Sequence, residues 1–206
     1  MMRRLIFLLL ALGMVLGTLI SCGGSGGGSA PAPAVQAPLP ARPPEPAAQR
    51  TLCYVNPVSS GFRLEVDPAT NNTPHLVLHL KGPDGLEGRG VAFYLHAHAD
   101  RLAWSTPPGA TGLVRNGGLW DPGAAEPRLM RAKARDGVLQ VGLFQRDGAA
   151  VRMGQAPLAS LALDLKAGAA TGRVDLWLPG DQSALFLDAA RNLQPFVLAV
   201  GTLTVQ

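Results

Sequence analysis

An all-β sandwich is the fold class this sequence predicts, and three observations predict it. Between residues 51 and 206 the apolar residues recur in short runs at every second position, the period of a strand with one buried face. Turn signals built from Gly, Pro, Asn and Asp punctuate those runs. No long stretch carries the 3.6-residue spacing of an amphipathic helix. About nine short strands separated by such turns fit two packed sheets.

The chain ahead of this domain divides in two. Residues 1–21 have the layout of a secretory signal: Arg3 and Arg4, an uncharged apolar run from Leu5 to Ile20 that suits a signal helix, then small residues. The run is shorter than the ~20 residues that span a bilayer comfortably. Its last four residues, Leu19-Ile20-Ser21-Cys22, resemble the lipobox of bacterial lipoproteins. That resemblance implies cleavage before Cys22 and lipidation of its sulfur and new amine. Two or more acyl chains anchor stably where one is marginal. Gly23, in place of an aspartate, resembles the outer-membrane-sorted kind, so the expected location is the outer membrane or cell surface. Residues 22–50 then read as a disordered linker, with a Gly/Ser stretch followed by seven prolines between Pro31 and Pro46. Such composition cannot bury a core, and its proline-rich part favours an extended spacer.

Charge and cysteine use bound the domain's chemistry. The chain has 18 Lys plus Arg and 14 Asp plus Glu, a net of +4. Arg3, Arg4, Arg42, Arg50 and Glu45 lie outside residues 51–206, which leaves 14 basic and 13 acidic side chains there. The basic pI is therefore no argument for nucleic acid. Of the two cysteines, a lipidated Cys22 leaves Cys53 alone, read as a small buried apolar residue or an intermolecular partner.

The elements follow in order. Phe62, Leu64 and Val66 share one face of a first strand. Leu76, Leu78 and Leu80 point inward from the next, and Lys81-Gly82-Pro83-Asp84-Gly85 ends it. Val91, Phe93 and Leu95 form a third row; Leu102 and Trp104 continue after a corner at Asp100-Arg101. Residues 107–127 read as loops with a short strand at Leu113-Val114. Asp136-Gly137 is a strong two-residue hairpin signal. It sets Ala134 against Leu139, Ala132 against Val141 and Met130 against Leu143, and puts Arg131, Lys133 and Arg135 on the opposite face. Further inward rows are Leu161, Leu163 and Leu165; Val174, Leu176 and Leu178; Leu185 and Leu187; and Phe196, Leu198 and Val200. Leu203 and Val205 change parity after Gly201, as at a bulge.

The run Gly90-Val91-Ala92-Phe93-Tyr94-Leu95, the Asp100 corner and Leu102 resemble the third-strand region of cohesin domains. Gly137 to Phe144, Pro157 to Leu165, Gly172 to Leu178 and the closing Val200-Gly201-Thr202-Leu203-Thr204-Val205 follow in the same order. The resemblance spans roughly residues 60–206 and implies a cohesin-like jelly-roll sandwich, related to cellulose-binding modules. Those families bind dockerin domains or polysaccharides and are not enzymes. Ala97-His98-Ala99 departs from the Tyr-Asp-Pro usual there, so no ligand-binding residue is carried over.

Four features are candidates for function. His96, His98 and Asp100 have the residue types and alternation of a metal site, with His75 and His79 the only further histidines. A solvated strand face is the competing reading. The stripe Arg131, Lys133 and Arg135 can meet an acidic polymer or lipid headgroups, or protect an edge strand. Trp177, next to Asp175 and out of step with Leu176 and Leu178, points outward as a sugar platform. Trp120 is a second platform candidate or packs its own loop, and Trp104 belongs to the core. Aromatics make up only 5 % of the chain, which is poor for a stacking surface. No catalytic signature and no cofactor motif is present. The expected function is a lipid-anchored, non-enzymatic module that binds a protein partner or a polysaccharide. The rival expectations are a metal-dependent hydrolase using His96 and His98, and a purely structural envelope protein.

Overall fold

The computed structural model describes residues 49–123, 129–180 and 184–206. The signal, Cys22 and the linker up to residue 48 lie outside them. Among the described residues there is no α-helix. In chain order the strands are β1 (Leu52–Val55), β2 (Phe62–Val66), β3 (His75–Lys81), β4 (Glu87–Ala97), β5 (Leu102–Ser105) and β6 (Arg115–Asn116). Next come β7 (Met130–Arg135), β8 (Val138–Phe144), β9 (Val151–Arg152), β10 (Ala159–Leu165) and β11 (Gly172–Val174). The last are β12 (Leu176–Trp177), β13 (Ala184–Asp188), β14 (Leu193–Pro195), β15 (Leu198–Ala199) and β16 (Thr202–Val205).

They form two large sheets and one small one. One large sheet runs β15-β2-β3-β10-β5, with β6 also on β10; the other runs β14-β13-β4-β8-β7, with β9 and β12 on β4. The small sheet is β1-β16-β11. The fold is thus the predicted all-β sandwich. Leu64, Leu76, Leu78, Leu80, Leu161 and Leu163 of one layer and Val91, Phe93, Leu95, Leu139, Val141 and Leu143 of the other share a single core. The Phe62 and Phe186 rings meet across the layers with centroids 5.4 Å apart. Each such side chain, fully removed from water, contributes roughly 1.5–3 kcal/mol.

Tyr54 ties three segments together. Its hydroxyl donates to Leu64 O at 3.3 Å and accepts from the Gly201 N–H at 2.6 Å. Burial pushes the phenol up to about 12, against the lowering effect of the Gly201 bond. Gly201 marks a change of sheet, where a bulge was expected. The chain leaves β15, parallel to β2, and enters β16, antiparallel to β1. A Cβ at Gly201 would lie 2.0 Å from Val55 O, so only glycine fits this approach.

Other expectations need correction. Leu185 and Leu187 do not face the core; Ala184 and Phe186 do, at 1 % and 4 % exposure. Both parities of that segment are apolar, so period two could not choose, and the larger Phe186 takes the inward place. The short strand near 113–114 is displaced to Arg115–Asn116, which pairs with β10. Of Phe196, Leu198 and Val200 only Leu198 is fully buried. β1 was missed, although Leu52 and Tyr54 alternate and both are buried.

Candidate functional site

The outer face of the seven-stranded sheet gathers most of the singled-out residues. Register explains why. In antiparallel sheets directly opposed residues share a face. The observed hairpin pairs Ala134 with Leu139, Ala132 with Val141 and Met130 with Leu143, as predicted from Asp136-Gly137. Asp136 (φ 52°) and Gly137 (φ 81°) both take positive φ, the requirement of a type I′ turn. Arg131, Lys133 and Arg135 are therefore exposed together.

Three rows cross this face. Arg135 opposes Val138, which opposes His96, which opposes Trp177. Lys133 opposes Gln140, which opposes Tyr94. Arg131 opposes Gly142, which opposes Ala92. Tyr94 and Trp177 remain 42 % and 40 % exposed, large values for aromatic rings on a sheet. The Trp177 ring lies against both imidazoles, with centroids 5.1 Å from His96 and 5.3 Å from His98. Gln140 Nε2 donates to the Tyr94 hydroxyl at 3.0 Å. The result is an aromatic and imidazole cluster, a polar pair beside it, and a basic outer strand. Arg135 is paired with Asp136 at 3.2 Å. Neither Arg131 nor Lys133 has an ion-pair or hydrogen-bond partner among the described residues.

An open cleft of about 740 Å³ follows β7. Residues of both strand faces line it: Arg131, Lys133 and Gln140 from outside, Leu113, Val114, Met130 and Ala132 from inside.

The other site residues are placed as follows. Of the candidate metal ligands, His98 Nδ1 is 3.9 Å from Asp100 Oδ1. Yet no group of three or more His, Cys, Asp or Glu that could hold a metal converges among the described residues. His75 does not join His96, since β3 and β4 belong to different sheets; it pairs with Asp164 across β3 and β10. Trp120 is 2 % exposed and part of the core, so it offers no platform to a ligand. A loop tryptophan has no periodicity to reveal its burial. Trp104 packs partly against the core, and its Nε1 donates to Gly137 O at 2.8 Å. Cys53 is a free thiol, half-buried where full burial was the expectation. Tyr94 and Gln140 escaped sequence reading; the hairpin register, extended one strand to β4, was the signal that could have found them.

A second polar cluster lies on the outer face of the six-stranded sheet. His79 Nδ1 is 3.0 Å from Ser160 Oγ, and its Nε2 is 3.9 Å from Asp67 Oδ2. Arg115 Nη2 donates to Ser160 Oγ at 3.4 Å. The residue types are those of a hydrolytic triad, but Ser160 is 0 % exposed and cannot meet a substrate. Desolvation by burial holds the His79 imidazole below its ordinary range, against the attraction of Asp67.

No family model and no curated protein matches the chain. Among solved structures, it is similar to the sixth cohesin of scaffoldin B from Acetivibrio cellulolyticus, at 20 % identity over 69 % of this chain and 95 % of that one, with a TM-score of 0.45. It is similar to the seventh type I cohesin of ScaB from Pseudobacteroides cellulosolvens, at 16 % identity over 74 % and 88 %, TM-score 0.45. It is also similar to a type II cohesin domain from the cellulosome of Acetivibrio cellulolyticus, at 12 % identity over 70 % and 93 %, TM-score 0.46.

Proposed function

We propose that this chain is a non-catalytic binding module, held at the cell envelope by a lipid on Cys22, which takes a protein partner on the outer face of its seven-stranded sheet. The observation that carries the binding reading is the exposed Trp177 ring against the half-buried His96 and His98, with the exposed Tyr94 on the same face, beside a strand whose Arg131 and Lys133 have no partner among the described residues. Buried interface centres favour aromatic anchors and arginine, and this face supplies both. The scaffoldin B cohesin was solved in complex with a dockerin; the reading for this chain rests on its own outer face.

The anchor rests on Leu19-Ile20-Ser21-Cys22 and the apolar run before it. Replacing Cys22 by Ser should move the chain from the membrane pellet to the soluble fraction and abolish incorporation of a labelled fatty acid. Unchanged pelleting and labelling would remove the lipid from the proposal.

The binding reading is tested by capture from envelope extract with full-length wild type and Trp177→Ala. A partner that is captured saturably by the wild type, and at least tenfold more weakly by the variant, supports it. A polysaccharide on an array that shows the same dependence on Trp177 would transfer the face to carbohydrate binding.

A further inference from the structure

We infer that the open edge of β7 is a strand-addition site for an extended partner segment in which acidic and apolar residues alternate. The inference rests on the binding reading above and names the chemistry of one partner segment.

The backbone argument comes first. The two-residue turn makes Arg135 and Val138 a hydrogen-bonded pair, and such pairs alternate along an antiparallel ladder. Lys133 with Gln140 and Arg131 with Gly142 are then also hydrogen-bonded pairs. The N–H and C=O of Ala132 and Ala134 consequently point away from β8. Among the described residues β7 is the last strand of its sheet, and none of them bonds these groups. An unpaired row of this kind is a template for another strand.

Side-chain chemistry then selects the occupant. A strand laid along β7 would place alternate residues on the two faces of the sheet. On the outer face they would meet Arg131 and Lys133, two cations without partners among the described residues. On the inner side they would enter the cleft beside Leu113, Val114 and Met130. Glutamate or aspartate suits the first set, and valine, isoleucine or leucine the second. A second copy of this chain is disfavoured, because pairing β7 with itself would set two basic stripes side by side on one face. Six strand residues span roughly 20 Å, so a segment of six to eight residues would fill the edge.

The probe is a fluorescent, N-acetylated octapeptide of alternating Glu and Val, titrated into full-length protein in detergent micelles and followed by anisotropy. Saturable binding is expected. It should weaken at least tenfold when alternate peptide nitrogens are methylated, which removes the donors to Ala132 and Ala134 C=O. It should weaken equally in Ala132→Pro, since proline is tolerated on an edge strand whose N–H faces solvent. In Arg131→Glu with Lys133→Glu the preference should switch to a Lys–Val peptide. Absence of binding, or binding indifferent to both N-methylation and Ala132→Pro, overturns the inference. Self-association lost in Ala132→Pro would also overturn it, in favour of a second copy. The N-methylated peptide acts on the wild type, so a misfolded Ala132→Pro would not blunt the test. If the peptide fails while Trp177-dependent capture persists, strand addition alone falls; if both fail, so does the binding reading.

Discussion

At the scale of single residues, His79 is the described histidine whose environment shifts its proton affinity. It faces Glu65 and Asp67 from the β2 segment, Lys81 from its own strand, Arg115 from β6 and Ser160 from β10. Burial lowers its proton affinity in the fold, while the unfolded chain takes a proton near the ordinary histidine value. Below about pH 6.5 the unfolded state therefore binds more protons, and stability is lost as pH falls through that window toward the folded value. The melting temperature should drop between pH 7 and 5, and the drop should be smaller in His79→Gln, which can keep a bond to Ser160. Equal drops in both proteins would assign the acid sensitivity elsewhere. This network was not legible in the sequence, since residues 67, 79, 115 and 160 share no motif and only sheet pairing joins them. Trp177 was legible, because its parity is opposite to that of the neighbouring Leu176 and Leu178. For Trp120 the sequence left two readings open, platform or loop packing, and burial decides for packing, because a loop has no periodic trace to choose by.

At the scale of elements, the β7–β8 hairpin explains the site and is the best specified part of the chain. One register satisfies the apolar rows, the basic stripe and the Asp136-Gly137 turn together, and the observed pairing follows it residue by residue. Replacing Gly137 by Ala should cost about 1–2 kcal/mol for the left-handed backbone alone. A steric term adds to this, because the new Cβ would lie 2.4 Å from Ala97 O. Denaturant unfolding should show the loss as a lowered midpoint at constant m-value; an unchanged midpoint would mean the turn tolerates a side chain. β13 shows the opposite case. Its two faces are both apolar, Ala184 and Phe186 against Leu185 and Leu187, so alternation carries no information and packing against Phe62 decides. The short strands β6, β9, β12 and β15 have two residues each, too few for any period to register.

At the scale of the whole molecule, two sheets around one core follow from period-two rows that the sequence displays openly. The partition of strands between the sheets does not, because pairing partners are set by long-range contacts. That partition determines the site: it separates His75 from His96 and sets Trp177 beside His96. It leaves a sandwich whose seven-stranded sheet carries Trp177, Tyr94 and the β7 cations on one outer face, the face proposed to bind. The most direct test is quantitative capture of an envelope protein by full-length wild type against Trp177→Ala, with both variants shown to melt at the same temperature. The account predicts a saturable partner whose affinity falls at least tenfold in the variant. Saturable capture with equal affinity in both would contradict it, placing the binding surface away from the Trp177 face.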